Sequence, residues 1–209
     1  MKDKIIVLFS GGVDSTGVLY KLLTRPEYNH LDVLAHHVIL ITKERRYKEE
    51  KKACDDIIQW LRNDGHNLEY SETLVDFSLF KNQVPWDLEI LWPIAGIVAQ
   101  VDTSIKYAES GRTKTAMQTF MGNETIKNRH TDMLTRITTC EHRKKVGPVE
   151  VLPVVRDETK ESLWVMMPSE LRKLTWFCRI PHYIGGEAKE CGRCNTCKEL
   201  RPIIEKYGR

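Results

Sequence analysis

The stretch Ser10-Gly11-Gly12-Val13-Asp14-Ser15-Thr16, SGGVDST, directly follows the apolar run KIIVLF of residues 4–9. This order predicts a buried strand, a tight glycine turn and then a helix. Glycines let backbone N–H groups converge without side-chain obstruction, and the start of a helix carries partial positive charge. Because parallel sheets bind ligands outside the carboxyl ends of their strands, the stretch predicts an anion site at that edge.

Asp14 restricts what kind of anion site this is. A carboxylate in a phosphate cradle is repulsive unless a cation lies between, and Mg²⁺ takes one or two carboxylates together with phosphate oxygens. We therefore predict that Asp14 is a magnesium ligand. The alternative is a plain turn capped by Ser10 or Ser15, which leaves the carboxylate unexplained. No Gly-Lys-Ser/Thr follows, and the G-x-G-x-x-G spacing is absent.

Strand-like and helix-like segments alternate along the chain, which predicts βαβ units and a mainly parallel sheet. Asp157 is a candidate cap for one helix. Strands are predicted at 4–9, 31–40, 67–76, 113–122 and 149–155, and helices at 15–24, 45–65, 87–110, 157–167 and 196–208. The expected fold is therefore α/β, with five parallel strands flanked by helices.

The composition is that of an ordinary globular protein, with 209 residues, 41% hydrophobic and 29% charged. There is no apolar run of about 18 residues and no visible secretory signal, so we expect a cytoplasmic protein without a membrane span. The net charge of +3 is too small to indicate nucleic-acid binding by itself.

Four of the six cysteines lie in the last 35 residues, at Cys178, Cys191, Cys194 and Cys197. Four thiolates form a closed tetrahedral Zn²⁺ site, and this spacing is typical of a metal-binding knuckle. An iron–sulfur cluster is the alternative. We expect a main domain over residues 1–175 and a zinc-binding segment over 176–209 that packs on it.

SGGVDST resembles the pyrophosphate-binding loop, S-G-G-x-D-S, of the PP-loop ATP pyrophosphatase superfamily. The resemblance implies a Rossmann-like fold of the adenine nucleotide alpha hydrolase type. It also implies that ATP is cleaved between its α and β phosphates with Mg²⁺ present. The residues that would hold the nucleotide and its leaving pyrophosphate are Phe9, Ser10, Gly11, Gly12, Val13, Asp14, Ser15 and Thr16.

The tail LTWFC…GGE…CGRCNTC resembles that of the 7-cyano-7-deazaguanine synthase (QueC) family. The matched residues are Thr175, Trp176, Cys178, Gly185, Gly186, Glu187, Cys191, Gly192, Cys194 and Cys197. This resemblance implies adenylation of the carboxylate of 7-carboxy-7-deazaguanine, followed by reaction with ammonia to the 7-amido and then the 7-cyano product. It also implies a homodimer.

The same resemblance suggests roles for further residues. Lys160 would act in catalysis beside Asp14 and Ser15, and His37, Arg46 and Gly122 would contact the nucleotide. For His37, a packed core histidine is an equally good interpretation. Candidate substrate contacts, for which a solvated helix face is the alternative at the last three positions, are Trp86, Asn123, Arg129, His130 and Asp132.

The middle of the chain departs from the family pattern, because Trp86, Asp87 and Leu88 stand where the family carries Arg-Asn. The family's Tyr-Pro-Asp-Cys stretch has no counterpart either. Two alternatives therefore stay open. The enzyme could join a deazaguanine or another acid to a different amine, in a phage or antiphage-defence setting, with a protein or nucleic acid as a less favoured acceptor. The other alternative is a catalytically inactive nucleotide-binding module.

Overall fold

A five-stranded parallel sheet with helices on both faces forms the centre of the molecule. The computed structural model describes residues 2–80, 87–114 and 147–209. Its elements are β1 (Asp3–Leu8), α1 (Val13–Thr24), β2 (Leu31–Ile41), α2 (Tyr47–Asn63), β3 (Glu69–Asp76), α3 (Asp87–Val101), β4 (Ile105–Glu109), β5 (Glu150–Val151), α4 (Lys160–Met166), α5 (Ser169–Leu174), β6 (His182–Ile184), β7 (Glu187–Lys189) and α6 (Asn195–Tyr207).

The strand order is β3-β2-β1-β4-β5, and every neighbouring pair runs parallel. The order reverses direction between β1 and β4. In open parallel sheets, the crevice at such a reversal, beyond the carboxyl ends of the strands, is where ligands bind. The loops after β1 and β4 therefore define the place where a site is expected, and this sheet confirms the predicted α/β fold class.

Both faces of β1 are buried, as a central parallel strand requires. Ile5 and Val7 face α1, α2 and the C-terminal helices, whereas Ile6 and Leu8 face α3. Side chains in a strand alternate between its faces. The apolar run that suggested a buried strand thus supplies two hydrophobic cores at once.

The prediction of a single helix over 87–110 is wrong at its carboxyl end. The helix ends at Val101, and residues 105–109 form β4 next to β1 in the sheet. Asp102 Oδ1 accepts from the backbone N–H and the hydroxyl of Ser104 at 3.0 and 2.5 Å, which forms a tight turn. The strand predicted at 113–122 lies almost wholly outside the described residues.

The C-terminal part departs from prediction in two details. The strand predicted at 149–155 is only the two residues of β5, and α4 is capped by Thr159 rather than Asp157. Thr159 Oγ1 accepts from Ser162 N while Ser162 Oγ accepts from Thr159 N, which satisfies two otherwise open donors.

The tail packs into the larger core through Phe177, Cys178, Cys197 and Leu200. The packing does not test the predicted domain boundary between residues 175 and 176, which stays a prediction. Within the described parts of the chain, no helix has both the length and the apolar character needed to cross a membrane.

Candidate nucleotide site and cysteine cluster

The loop after β1 is organised by its own hydroxyl groups. Ser10 Oγ and Ser15 Oγ lie 3.2 Å apart, and Ser15 Oγ accepts from Ser10 N at the same distance. Ser15 Oγ also lies 3.3 Å from the carbonyl of Gly12, the residue that precedes α1. Because Gly12 has no side chain to cap the helix, the first N–H groups of α1 are left available to a ligand.

Two polar atoms at the start of α1 are buried and have no hydrogen-bond partner among the described residues. They are Asp14 Oδ1 and Thr16 Oγ1. The other carboxylate oxygen, Asp14 Oδ2, accepts from Lys160 Nζ at 2.5 Å. A buried carboxylate oxygen without a partner is costly unless a ligand completes it. This donor set fits a hard cation held beside phosphate oxygens.

Gly11 is needed for packing as well as for its conformation. Its φ is +70°, and a Cβ there would lie 2.9 Å from Ala53 Cβ and 3.1 Å from Cys54 N. The loop can therefore turn under α2 only without a side chain. The backbone N–H of Trp176 donates to the Gly11 carbonyl at 2.9 Å, so the tail segment also holds the loop.

Gly111, in the loop after β4, meets this loop from the other side. Its φ is +73°, and a Cβ would lie 3.0 Å from Ser15 N and 3.1 Å from Asp14 C. The two loops at the reversal of strand order therefore touch through backbone atoms. Sequence reasoning missed Gly111 because it falls in the short gap between the helix predicted at 87–110 and the strand predicted at 113–122.

The carboxylate of Glu109 anchors the loop after β4 by accepting hydrogen bonds from backbone N–H groups. Glu109 is 3% exposed, and its Oε1 accepts from Ser110 N at 2.7 Å and from Gly111 N at 2.8 Å. Its Oε2 accepts from Val154 N at 2.8 Å. Burial raises the pKa of Glu109, and these N–H groups oppose that effect. Sequence reasoning missed this residue too.

His37 supports the end of β1 from β2. Its Nδ1 donates to the Phe9 carbonyl at 2.9 Å, since a carbonyl can only accept, and the side chain is 1% exposed. Burial lowers the pKa of His37. His37 therefore orients Phe9, next to the loop, and its predicted contact with the nucleotide stays a prediction.

Arg46 lies at the centre of a buried ion cluster. It contacts Glu44 and Glu50 at 3.0 Å each and Asp87 at 2.6 Å, and Asp87 also accepts from Arg179 at 2.5 Å. Burial raises the pKa of Glu50, although Arg46 opposes the shift. Asp87 and Arg179, which sequence reasoning did not single out, thus join α3 and the residue after Cys178 to the start of α2.

A cavity of about 150 Å³ opens between this ion cluster and the loop. Its apolar lining comes from β1, β2 and α3, and its polar lining comes from the loops after β1 and β4 and from the ion cluster. The lining residues are Leu8, Phe9, Ser10, Val38, Leu40, Arg46, Glu50, Asp87, Leu88, Leu91 and Ser110. We call this cavity the slot. Three predicted contacts, Phe9, Ser10 and Arg46, thus line the same cavity.

Several predicted site residues fall outside the part of the chain that the structure describes. They are Trp86, Gly122, Asn123, Arg129, His130 and Asp132. Their assigned roles stay predictions. The described site consists of the loop 9–16, Gly111, Glu109, Arg46 with its partners, and Lys160.

The four tail cysteines converge as predicted. The Sγ atoms of Cys178, Cys191, Cys194 and Cys197 all lie within 4.8 Å of one another. Backbone N–H groups of Cys191 and Cys194 donate to the sulfurs of Cys178 and Cys191 at 3.2 and 3.3 Å. Desolvation opposes ionisation of Cys191, but backbone donors from Arg193 and Cys194 outweigh it and lower its pKa to about 6.

This geometry fits one metal ion. A tetrahedral Zn²⁺ with Zn–S bonds of about 2.3 Å places its sulfurs roughly 3.8 Å apart. Cys191 Sγ and Cys197 Sγ already lie 3.9 Å apart. A four-iron cluster spreads its ligands over four metal atoms and needs a wider set of sulfurs. The residues thus form a candidate metal centre whose dimensions favour a single ion.

No protein-family model and no curated protein matches the chain. Among solved structures, it is similar to the U34-tRNA thiolase NcsA from Methanococcus maripaludis with its 4Fe–4S cluster. The match has a TM-score of 0.51 and 16% sequence identity, and it covers 99% of this chain and 68% of that one. At this identity the likeness concerns the fold alone, and the chain shares the α/β fold of that enzyme.

Proposed function

We propose that this chain belongs to the PP-loop ATP pyrophosphatase superfamily and adenylates a carboxylate. One observation carries the proposal: Asp14 Oδ1 and Thr16 Oγ1 are buried without a partner among the described residues, in a loop at the reversal of strand order. A structural turn would satisfy these atoms internally. The fold shared with a tRNA thiolase supports the same chemistry.

In this proposal, the first N–H groups of α1 and the hydroxyls of Ser10, Ser15 and Thr16 receive the β and γ phosphates. Mg²⁺ held by Asp14 would neutralise charge on the leaving pyrophosphate. Lys160, already beside Asp14, can donate to the same oxygens. The slot lies next to Ser10 and is mostly apolar, which suits the adenine ring.

The acid that the tail resemblance favours is 7-carboxy-7-deazaguanine. Its carboxylate oxygen attacks the α phosphorus, the bond from that phosphorus to the bridging oxygen breaks, and pyrophosphate leaves. Ammonia then attacks the acyl carbon and AMP leaves, which gives the amide. Adenylation of the amide oxygen by a second ATP, followed by loss of AMP and a proton, gives the nitrile.

The four cysteines would hold zinc as a structural ion. All four positions are taken by protein thiols, so no position is open for a reacting group. The iron–sulfur alternative conflicts with the close approach of the sulfurs. This distinguishes the proposal from a thiolase that uses a cluster.

The test is product analysis by mass spectrometry with ATP, Mg²⁺, ammonium and 7-carboxy-7-deazaguanine. We expect pyrophosphate release that depends on the acid, together with the amide and the nitrile. Asp14→Asn should abolish release, whereas Asp56→Asn, on the outer side of α2, should not.

Three results would redirect the proposal. Pyrophosphate release that needs the acid but yields neither product indicates another amine acceptor. ATP binding without any turnover supports an inactive nucleotide-binding module. Failure to bind ATP, in protein that is folded and holds its metal, contradicts the superfamily assignment.

A further inference from the structure

A second cavity, of about 620 Å³, lies at the carboxyl ends of β2 and β3. It is beyond the slot and is not needed for the ATP chemistry proposed above. Its lining comes from the end of β2, the segment before α2, the start of α2, the residue two positions after β3, and the β6–β7 hairpin. The residues are Ile41, Thr42, Lys43, Arg45, Tyr47, Lys48, Ser78 and Tyr183. We call it the basic cavity.

The charge of this lining is of one sign. Three of the described lining residues, Lys43, Arg45 and Lys48, are basic and exposed, and none is acidic. Two nearby carboxylates, those of Glu44 and Glu49, are not among the described lining residues. Glu44 binds Arg46 at 3.0 Å, and Glu49 is the acidic group that faces Tyr183. The basic cavity is therefore suited to an anion such as a phosphate.

The lining also presents two aromatic rings, Tyr47 and Tyr183. Tyr183 is held in place, because its hydroxyl donates to the Arg45 carbonyl at 2.8 Å. Arg45 has a φ of +57°, an uncommon conformation for a residue other than glycine. A ring fixed beside cations is how proteins hold single-stranded nucleic acid, with bases stacked and phosphates paired.

Along two segments of the chain, neighbouring residues line the basic cavity and the slot in turn. Arg46 lines the slot, while its neighbours Arg45 and Tyr47 line the basic cavity. On β2, Leu40 lines the slot and Ile41 lines the basic cavity. The two cavities are therefore lined by adjacent residues of the same two segments.

We propose that the basic cavity binds a nucleotide unit of single-stranded nucleic acid, with its phosphate at Lys43, Arg45 and Lys48 and its base against Tyr183. The combination of aromatic rings with cations favours this ligand over an acidic peptide, which has no base to stack. A role of the bound nucleic acid as acceptor of the acyl group rests on the proposed function, but the binding itself does not.

The test is fluorescence anisotropy with labelled single-stranded RNA and DNA 12-mers of mixed sequence, using the full chain at several salt concentrations. We expect binding that weakens as salt rises. The triple variant Lys43→Gln, Arg45→Gln, Lys48→Gln should bind about tenfold or more weakly at low salt. The slope of log affinity against log salt should become shallower by about 0.7 for each phosphate that these side chains no longer neutralise.

Two further variants separate the ring from the charges. Tyr183→Leu should weaken binding with little change in the salt slope, whereas Tyr183→Phe should retain most of the affinity because it keeps the ring. Lys52→Gln is the matched control, since Lys52 pairs with Asp56 on α2 and does not line the cavity. It should bind like the unmodified protein.

The proposal is overturned if neither oligonucleotide binds, if Lys52→Gln weakens binding as much as the triple variant, or if an acidic peptide binds better than both. ATP affinity, measured on the same samples, shows that the variants are folded. It also separates failure of the basic cavity from failure of the proposed ATP chemistry.

Discussion

Lys160 Nζ lies 2.5 Å from Asp14 Oδ2, so the first residue of α4 and the second residue of α1 form an ion pair at the candidate phosphate site. The Lys160 side chain is 15% exposed, and a second carboxylate, that of Glu199, approaches it only to 3.6 Å. A largely buried ammonium at this place can act on phosphate oxygens with little loss to solvent.

Replacement of Lys160 should therefore slow the chemistry. We expect Lys160→Met to reduce the rate of pyrophosphate release by roughly 100-fold, the usual effect of removing one positioned donor. Lys206→Met, which removes an exposed lysine paired with Glu161, is the control and should leave the rate unchanged. Equal rates for both variants would contradict a role for Lys160.

A side chain at Gly111 should damage the nucleotide loop. Gly111→Ala places a Cβ against Ser15 N and Asp14 C, so we expect ATP affinity, measured by calorimetry, to fall about tenfold or more. Gly147→Ala is a matched control, because its φ of +79° carries the same backbone cost but a Cβ there meets none of the described residues within 4 Å. It should lose roughly 1 kcal/mol of stability and no ATP affinity.

Glu109 should matter for stability and for the loop. Glu109→Gln places an amide N–H₂ against a backbone N–H, so we expect the free energy of unfolding in urea to fall by about 1–3 kcal/mol. Glu150→Gln, on the exposed strand β5, should cause no measurable change. If Glu109→Gln is as stable as the original protein, the bonds to Gly111 and Val154 do not hold the loop.

Acid should destabilise the fold through His36. Burial lowers the pKa of His36 to about 4, while its Nδ1 lies 2.8 Å from Ser71 Oγ. The unfolded chain takes up a proton near the ordinary value of 6.5, so stability is full above that pH and falls as the pH is lowered towards 4.

The urea midpoint of His36→Gln should therefore change less between about pH 7 and pH 4.5 than that of the unmodified protein. His182→Gln, which alters an exposed histidine, should keep the original pH dependence. Identical pH profiles for all three proteins would show that His36 is not the source of the loss of stability in acid.

The tail cysteines should hold one metal ion per chain. Elemental analysis should find about one zinc, and Cys194→Ser should reduce that content and lower the melting temperature. Cys54→Ala is the control for metal content, because Cys54 is buried in the core outside the cluster. Stoichiometric iron with visible absorption in anaerobically purified protein would instead indicate a cluster.

The sequence was sufficient for the strands whose both faces are buried. The runs that became β1 and β2 are long and apolar, and the glycines after β1 mark the turn. β4 was missed because an apolar helix precedes it without a Gly or Pro between them. The Asp102-Thr-Ser104 turn was the available signal, since such residues form turns by bonding to their own backbone.

The site was predictable where one short motif supplies it. Asp14, the loop hydroxyls and the four cysteines could be found in this way. Glu109 and Gly111 act through backbone contacts with segments far away in the sequence, and Asp87 and Arg179 meet only in the folded chain. Residue spacing along the chain does not predict such pairs.

Trp176, whose backbone N–H donates to the Gly11 carbonyl, lies two residues before Cys178. One short backbone segment therefore contacts both the candidate nucleotide loop and the candidate metal centre. Coupling between two binding equilibria is reciprocal. If a metal ion orders the loop and so strengthens ATP binding, bound ATP strengthens metal binding by the same free energy. Under the proposed function the two ligands are thermodynamically linked, and loss of ATP should weaken binding of a metal ion at the four cysteines.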